Sequence, residues 1–284
     1  RELAMSNRID VKKTYKLYIN GAFPRSESGR TYEVKNAKGV FIANPCLASR
    51  KDLRDAVVAA RAAHPSWNKA TAYNRGQILY RIAEMLEGRR GQFVEEIVNV
   101  TGATKAKADK EVTESIDRLV WYAGWTDKIA SLAGSTNPVA GPFYNFTIPE
   151  SMGVVAAIAP ESPSLLGLID AIAPIITSGN TVVVLASTKA PLSAMTFAEV
   201  LATSDLPHGV INILTGKKEE IAPWMASHMD IDALDISGLP AKQHSEIKVA
   251  GAENLKRIHS FKSADPGRII AFMEAKTVWH PIGL

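Results

Sequence analysis

One cysteine and six histidines are the side chains best suited to nucleophilic, acid–base or metal chemistry in this sequence. Thiol chemistry needs a thiolate held in an accessible, electropositive place. Cys46 stands in NPCLASRKD, inside a β-rich entry segment and well ahead of the α/β half of the chain. It reads as a small hydrophobe or an incidental surface thiol. His64, His208, His228, His244, His259 and His280 show no pairing at metal-ligand spacing, and no second cysteine joins them, so no metal site is expected. Glu161 is the carboxylate of interest: it follows an apolar strand pattern, and α/β folds place function at the C-terminal ends of their strands. A surface or capping role is its competing reading. No intact Gly-x-Gly-x-x-Gly occurs anywhere.

The chain that must position these groups has 284 residues, 46% hydrophobic and 22% charged, which is ordinary globular composition with ample length for a core. The 33 basic residues exceed the 29 acidic ones by a margin spread along the whole chain, so no nucleic-acid partner is expected. Lys12, Lys13 and Lys16 read as a solvated N-terminal segment. A single cysteine excludes an internal disulfide, and no apolar run approaches the roughly 18 residues of a membrane span. Residues 1–18 lack a secretory-leader pattern, so the cytoplasm is the expected compartment. Residues 1–7 read equally as native chain or as the remnant of an added segment.

Residues 15–19, 32–34 and 40–43 are short β-prone runs separated by turn chemistry such as Asn20-Gly21 and Ser28-Gly29. From Ser49 the period changes to that of a helix: Leu53, Val57 and Ala60 share a face, and Ser49 with Asp52 has capping-box spacing. Ile78, Ile82, Met85 and Leu86 repeat the pattern, as do Val112, Ile116, Leu119 and Val120. Residues 136–152 are broken by Pro and Gly and rich in aromatic and β-branched side chains, which predicts an extended arm or hairpin. Next come strands over 154–159, 181–185, 210–214 and 231–236, alternating with helices over 165–176, 191–202, 219–227 and 241–255. Apolar strands separated by such helices predict an α/β fold with a doubly wound parallel sheet, Rossmann-like. Residues 263–268 read as a loop, and 277–279 as a last β-prone run.

The segments DAVVAARAAHPSW, RGQILYRIAEMLE, SGNTVVV, LPHGVINILTG and ENLKRI, in that order, resemble the aldehyde dehydrogenase superfamily from about residue 15 to residue 259. The tail FMEAKTVW is similar to the last strand of those enzymes, which joins the N-terminal hairpin in building the oligomer. The resemblance implies five parts: residues 1–135, a β-rich entry and the helical part of a cofactor-type domain; 136–152, an oligomerisation arm; 153–258, the Rossmann-like part of that domain; 259–271, a short linker; and 272–284, a C-terminal oligomerisation strand. That linker stands where the family carries its catalytic domain, with a nucleophilic cysteine in a Gly-Gln-x-Cys context. Thiohemiacetal chemistry therefore has no thiol here, and no catalytic residue is expected.

The family's cofactor contacts are replaced position by position. Its Pro-Trp-Asn-Phe-Pro, with an oxyanion-hole asparagine, becomes Pro160-Glu161-Ser162-Pro163-Ser164; losing such a donor costs about 100- to 1000-fold in rate. Its Lys-Pro-x-Glu ribose grip becomes Leu185-Ala186-Ser187-Thr188. Thr215 and Gly216 remain, but two dinucleotide-approach glycines become Lys218 and Ala222, and Glu219 and Glu220 would oppose a pyrophosphate at that helix start. Phe-Thr-Gly-Ser-Thr becomes Ile236-Ser237-Gly238-Leu239-Pro240, and the family's acid-base glutamate falls near Phe261. Ser162, Leu185, Thr188, Gly216, Ser237 and Gly238 thus mark a degenerate cleft. Gly216 and Gly238 also read as turn glycines, and Lys217 and Lys218 as a solvated helix start.

The assembly elements survive. Phe143, Tyr144, Phe146, Ile148, Thr277, Val278 and Trp279 are the expected interface residues, and the terminal β-run is expected to pair with a neighbouring chain, folding back on its own sheet being the alternative. The expectation is a non-catalytic subunit that assembles with a full-length aldehyde dehydrogenase, with itself, or with both, and that needs no cofactor. A residual NAD or NADP binding module, and a dehydrogenase completed only by a partner chain, are the alternatives.

Overall fold

The structure, a computed structural model, describes residues 12–283. Residues 1–7, and most of the window read for a leader, lie outside the described residues. The entry segment pairs β1 (Val34–Lys35) with β2 (Phe41–Ala43), both shorter than the sequence pattern suggests, while Tyr18 bridges to Ile213 of the main sheet. Four helices follow: α1 (Arg50–Lys69), α2 (Ala72–Glu87), α3 (Arg90–Thr101) and α4 (Lys105–Ala123), then the short α5 (Ile129–Ala133). The expected capping box starts α1: Ser49 Oγ accepts from the Asp52 N–H at 3.2 Å, and Asp52 Oδ2 accepts from the Ser49 N–H at 2.8 Å. Asp52 also accepts from Ser26 Oγ at 2.6 Å, tying the entry segment to the helix. Leu119 and Val112 of α4 are buried as their spacing requires; Val120, beside that stripe, is exposed.

The arm forms as a hairpin of β3 (Ser135–Asn137) and β4 (Phe143–Ser151). Next come β5 (Val154–Ile158), α6 (Ser164–Thr177), β6 (Thr181–Leu185), α7 (Leu192–Leu201), β7 (Ile211–Leu214), α8 (Lys218–Ser227), β8 (Ala233–Asp235), α9 (Ala241–Gly251) and β9 (Arg257–His259). The five strands form one parallel sheet in the order β7-β6-β5-β8-β9. Period-two alternation divides its side chains between two layers. Val155, Ala157, Val182 and Val184 join the cluster under α6 and α7, whereas Val154, Ala156, Ile158, Val183 and Leu185 join the one under α1, α8 and α9. Both faces are covered, which is why β5 and β6 are continuous apolar runs. Each such buried Val, Leu or Ile stabilises by about 1.5–3 kcal/mol.

Three details depart from the sequence reading. β9 was not foreseen, because it is a three-residue edge strand with polar Arg257 and His259. The helix after Pro240 ends at Gly251 and gives way to a 3-10 turn, and Leu255 takes a left-handed φ of 58°. The loop expected over 263–268 holds through 266, but its last two residues open the short helix α10 (Gly267–Ile270). Together with Phe261 and Phe272, this segment covers the core where α6 would otherwise face solvent: Ile269 and Phe272 are fully buried in the α6 and α7 cluster.

The last strand, β10 (Met273–Pro281), pairs antiparallel with β4 along its entire length, from Met273↔Ser151 to Pro281↔Phe143. The expectation that this run pairs with a neighbouring chain is therefore corrected: its partner is its own arm. β4 and β10 are nine residues each, whereas β3 covers only three residues of β4's other edge, so the long unoccupied edge of β4 is the available template. In the order β10-β4-β3, the outer edge of β10 has no strand beside it among the described residues.

Candidate functional site

Strand order reverses between β5 and β8. α6 and α7 return on one side of the sheet and α8 and α9 on the other, so the loops after β5 and β8 part there and leave the crevice in which α/β sheets hold ligands. A lysine occupies it. Lys218, the first residue of α8, is 4% exposed, and its ammonium donates to Ala159 O at 2.6 Å, to Gly238 O at 3.1 Å and to Glu161 Oε1 at 2.8 Å. All three ammonium protons are thus used. The solvated helix start read from the sequence holds for Lys217, which is exposed, and fails for Lys218.

Glu161 is the counterpart. Its Oε2 accepts from Ser187 Oγ at 2.8 Å and from the Lys189 N–H at 3.0 Å, and Ser187 Oγ also accepts from the Ala190 N–H at 3.0 Å. Burial alone pushes a carboxyl pKa up; here the hydrogen bonds from Lys218, Lys189 and Ser187 outweigh it and hold Glu161 below the usual glutamate value. The surface or capping role weighed for Glu161 is replaced by this half-buried ion pair, which pins the β5 and β6 loops to α8.

The six cleft residues separate. Leu185 does not face it: its side chain is fully buried in the α1 and α8 layer, with Ala222 and Leu239 in the same cluster. Its place on the cleft is corrected, because strand alternation turns it into the core. Ser162 is exposed on the loop before α6. Thr188 Oγ1 donates to Gly216 O at 2.8 Å, closing one loop on another. Ser237 Oγ donates to Asp235 Oδ1 and accepts from the Phe261 N–H, the latter at 2.8 Å. Gly238 is a close-approach glycine: a Cβ there would stand 2.3 Å from the carbonyl oxygens of Ile158 and Ala159. At Gly216 a Cβ would meet Ile221 Cδ1 at 2.5 Å.

The helix terminus that opens α6 is also filled from within. Glu111 of α4 accepts from the Leu165 N–H at 2.8 Å, supplying the negative charge that a helix N-terminus favours. Sequence reasoning missed this carboxylate, the burial of Lys218 and the buried pair of Arg268 with Asp235, 2.9 Å apart. One signal was present for Lys218: two positions departing from the family pattern, Glu161 and Lys218, carry opposite charges. Cys46 is buried in the α1 and α8 cluster, with its carbonyl accepting from Thr215 Oγ1 at 2.6 Å, in agreement with the small-hydrophobe reading. Among the described residues no group of three or more His, Cys, Asp or Glu comes together to hold a metal, and no helix is long and apolar enough to cross a membrane.

The sheet order and its lysine-filled crevice can be set against known proteins. Residues 23–261 match the aldehyde dehydrogenase family. The chain belongs to that family. It is 33% identical over 260 residues to the mitochondrial 10-formyltetrahydrofolate dehydrogenase of Mus musculus, covering 89% of this chain and 28% of that one. It is 34% identical over 255 residues to retinal dehydrogenase 2 of Gallus gallus, covering 88% and 48% respectively. An aldehyde dehydrogenase from Bacillus cereus, solved as an NAD+ complex, superposes with a TM-score of 0.81 at 28% identity over 87% of this chain and 50% of that one. This aldehyde dehydrogenase homologue thus spans half or less of these relatives' length.

Aldehyde dehydrogenase family membership raises the question of a dinucleotide, and the residues present do not fit one. The crevice holds a buried ammonium whose three protons are satisfied by the protein, and Leu185, Ala222 and Leu239, at positions the sequence resemblance assigns to cofactor contacts, are core side chains.

Proposed function

We propose that this chain is a non-catalytic aldehyde dehydrogenase homologue that works as a structural or regulatory subunit, assembling with a full-length aldehyde dehydrogenase. The observation that carries the reading is the Lys218–Glu161 pair: a site that would take a ligand is stapled shut by the chain's own charges. The sequence offers one thiol, and it is buried away from solvent.

What the chain keeps is its arm. The sheet β10-β4-β3 presents exposed Phe143, Tyr144, Ile148 and Trp279, with Phe146 and Val278 half-buried beside them. Phe143 and Trp279 pack edge to face with centroids 5.7 Å apart, and Tyr144 and Phe146 lie 5.4 Å apart. Thr277 Oγ1 and Thr147 Oγ1 share a hydrogen bond of 2.9 Å across the pair. An unpaired edge beside exposed aromatic residues is a surface that soluble proteins cover. In this reading the five sequence-derived segments keep their roles, except that residues 259–271 act as a lid on the core as well as a linker.

The chain therefore works without a cofactor, and its partner is an aldehyde dehydrogenase chain, a second copy of itself, or both, in the cytoplasm. Residual NAD or NADP binding, and a dehydrogenase completed in trans, both require Lys218 to leave its three acceptors. A calorimetric titration with NAD and NADP at millimolar concentration tests this: no heat and no melting shift are expected, and saturable binding would overturn the cofactor-free reading.

A further inference from the structure

β10 has two edges, and β4 takes one of them. The Ile282 N–H donates to Pro142 O at 2.8 Å, which continues the β4 register and makes the even-numbered residues of β10 the ones that bond to β4. The N–H and C=O groups of Ala275, Thr277 and Trp279 therefore point away from the sheet, and none has a partner among the described residues. Arg257 obeys the same alternation: its Nη1 donates to Met273 O, the next outward carbonyl, and closes the edge at that end. Pro281 closes the other end, because it is the next outward position and has no N–H to offer. What stays open is residues 275–279, a window centred on Thr277. Ala275, Thr277 and Trp279 are all exposed.

We propose that this window pairs antiparallel with its own equivalent in a second copy of the chain, the two-fold axis passing through Thr277. The proposal rests on the reading of the arm as an assembly element and names the occupant of its free edge. In this register Thr277 faces Thr277 and Ala275 faces Trp279, each pair exchanging both backbone bonds, so every outward group in the window finds a partner. The small Ala275 leaves room for the indole opposite it, Glu274 stands opposite His280 and Lys276 opposite Val278, so no like charges meet. Other axes fail one by one. An axis at Lys276 sets two lysines face to face. An axis at Ala275 needs the Met273 carbonyl that Arg257 holds. An axis at Val278 or Trp279 brings Pro281 opposite Ala275 or Thr277, whose carbonyl is then left without a donor. With the axis at Thr277 the two arms form one continuous sheet, β3-β4-β10 followed by β10-β4-β3 of the second copy, and the open edge is covered.

The purified full chain alone, with no aldehyde dehydrogenase present, carries the test, so its failure is distinct from failure to find such a partner. Sedimentation velocity is expected to show a concentration-dependent dimer. Thr277→Lys sets two like charges on the axis and is expected to weaken that dimer at least tenfold in low salt, with recovery at about 1 M salt, where the screening length is about 3 Å. Thr277→Cys is expected to give a disulfide-linked dimer under mild oxidation, since facing residues of a hydrogen-bonded pair lie about 5.5 Å apart at Cα and disulfides span roughly 4.4–6.8 Å. The one native thiol, Cys46, is buried. Ala275→Cys is expected not to cross-link, because its copy lies about four residues, or about 13 Å, further along the paired strand. The cysteine variants decide even where the lysine variant unfolds. A monomer at every concentration, a dimer indifferent to Thr277→Lys, or cross-linking through Ala275→Cys in place of Thr277→Cys would overturn the proposal.

Discussion

Lys218 Nζ stands 2.8 Å from Glu161 Oε1, joining the first residue of α8 to the loop after β5 across the point where the strand order reverses. The pair does three things at once. It satisfies two backbone carbonyls at strand ends, it neutralises a buried ammonium, and it occupies the crevice.

Removing one partner leaves the other half-buried and unpaired, which is costlier than replacing both. Lys218→Met is expected to destabilise by about 3 kcal/mol, lowering the melting temperature by roughly 6–12 °C in a domain of this size. Chemical denaturation and calorimetry check both figures. An unchanged midpoint would mean that the pair contributes nothing.

The same pair sets a pH dependence. The folded pKa of Glu161 is depressed, so its contribution is present above the unfolded glutamate pKa of about 4.3 and is lost as pH falls through the lower folded value. The stability gap between the natural protein and Glu161→Gln is expected to be constant above about pH 5.5 and to shrink steadily below about pH 4. Denaturation midpoints measured from pH 3 to 7 test the sign. A gap that grows on acidification would contradict it.

Phe272 is fully buried although it belongs to the short segment that follows β9. Phe272→Ala is expected to cost about 3–5 kcal/mol, as for a core phenylalanine. An exposed linker residue would cost within about 0.5 kcal/mol. Urea unfolding distinguishes a structural lid from a passive connection.

Trp279 is 57% exposed and contacts Phe143 edge to face. Trp279→Ala is expected to lower monomer stability by no more than about 1.5 kcal/mol, the scale of one aromatic pair, and to weaken assembly at least tenfold. Sedimentation velocity alongside thermal unfolding separates the two effects. Loss of stability with assembly unchanged would remove Trp279 from the interface.

The doubly wound sheet was legible because its strands are buried on both faces and its helices keep a 3.6-residue period, two signals that do not depend on distant contacts. The capping box at Ser49 and Asp52 was legible for the same local reason. β9 was not: its three residues pair only because β8 offers an edge, and their polarity carries no strand pattern. Lys218 looked like a surface residue because its acceptors, Ala159 O and Gly238 O, lie far away in sequence and bear no side-chain signature. Leu185 was placed on a cleft by its position in the family pattern, while alternation along β6 turned it into the core. The buried pair of Arg268 with Asp235 was hidden by a segment that read as a loop.

Native mass spectrometry of the protein purified gently from its own host, with each co-purifying chain identified, tests the assembly reading most directly. A stoichiometric complex containing a full-length aldehyde dehydrogenase, lost on Trp279→Ala, is the expected result. A chain that remains monomeric, or that recovers no aldehyde dehydrogenase under conditions where the arm is intact, would contradict it.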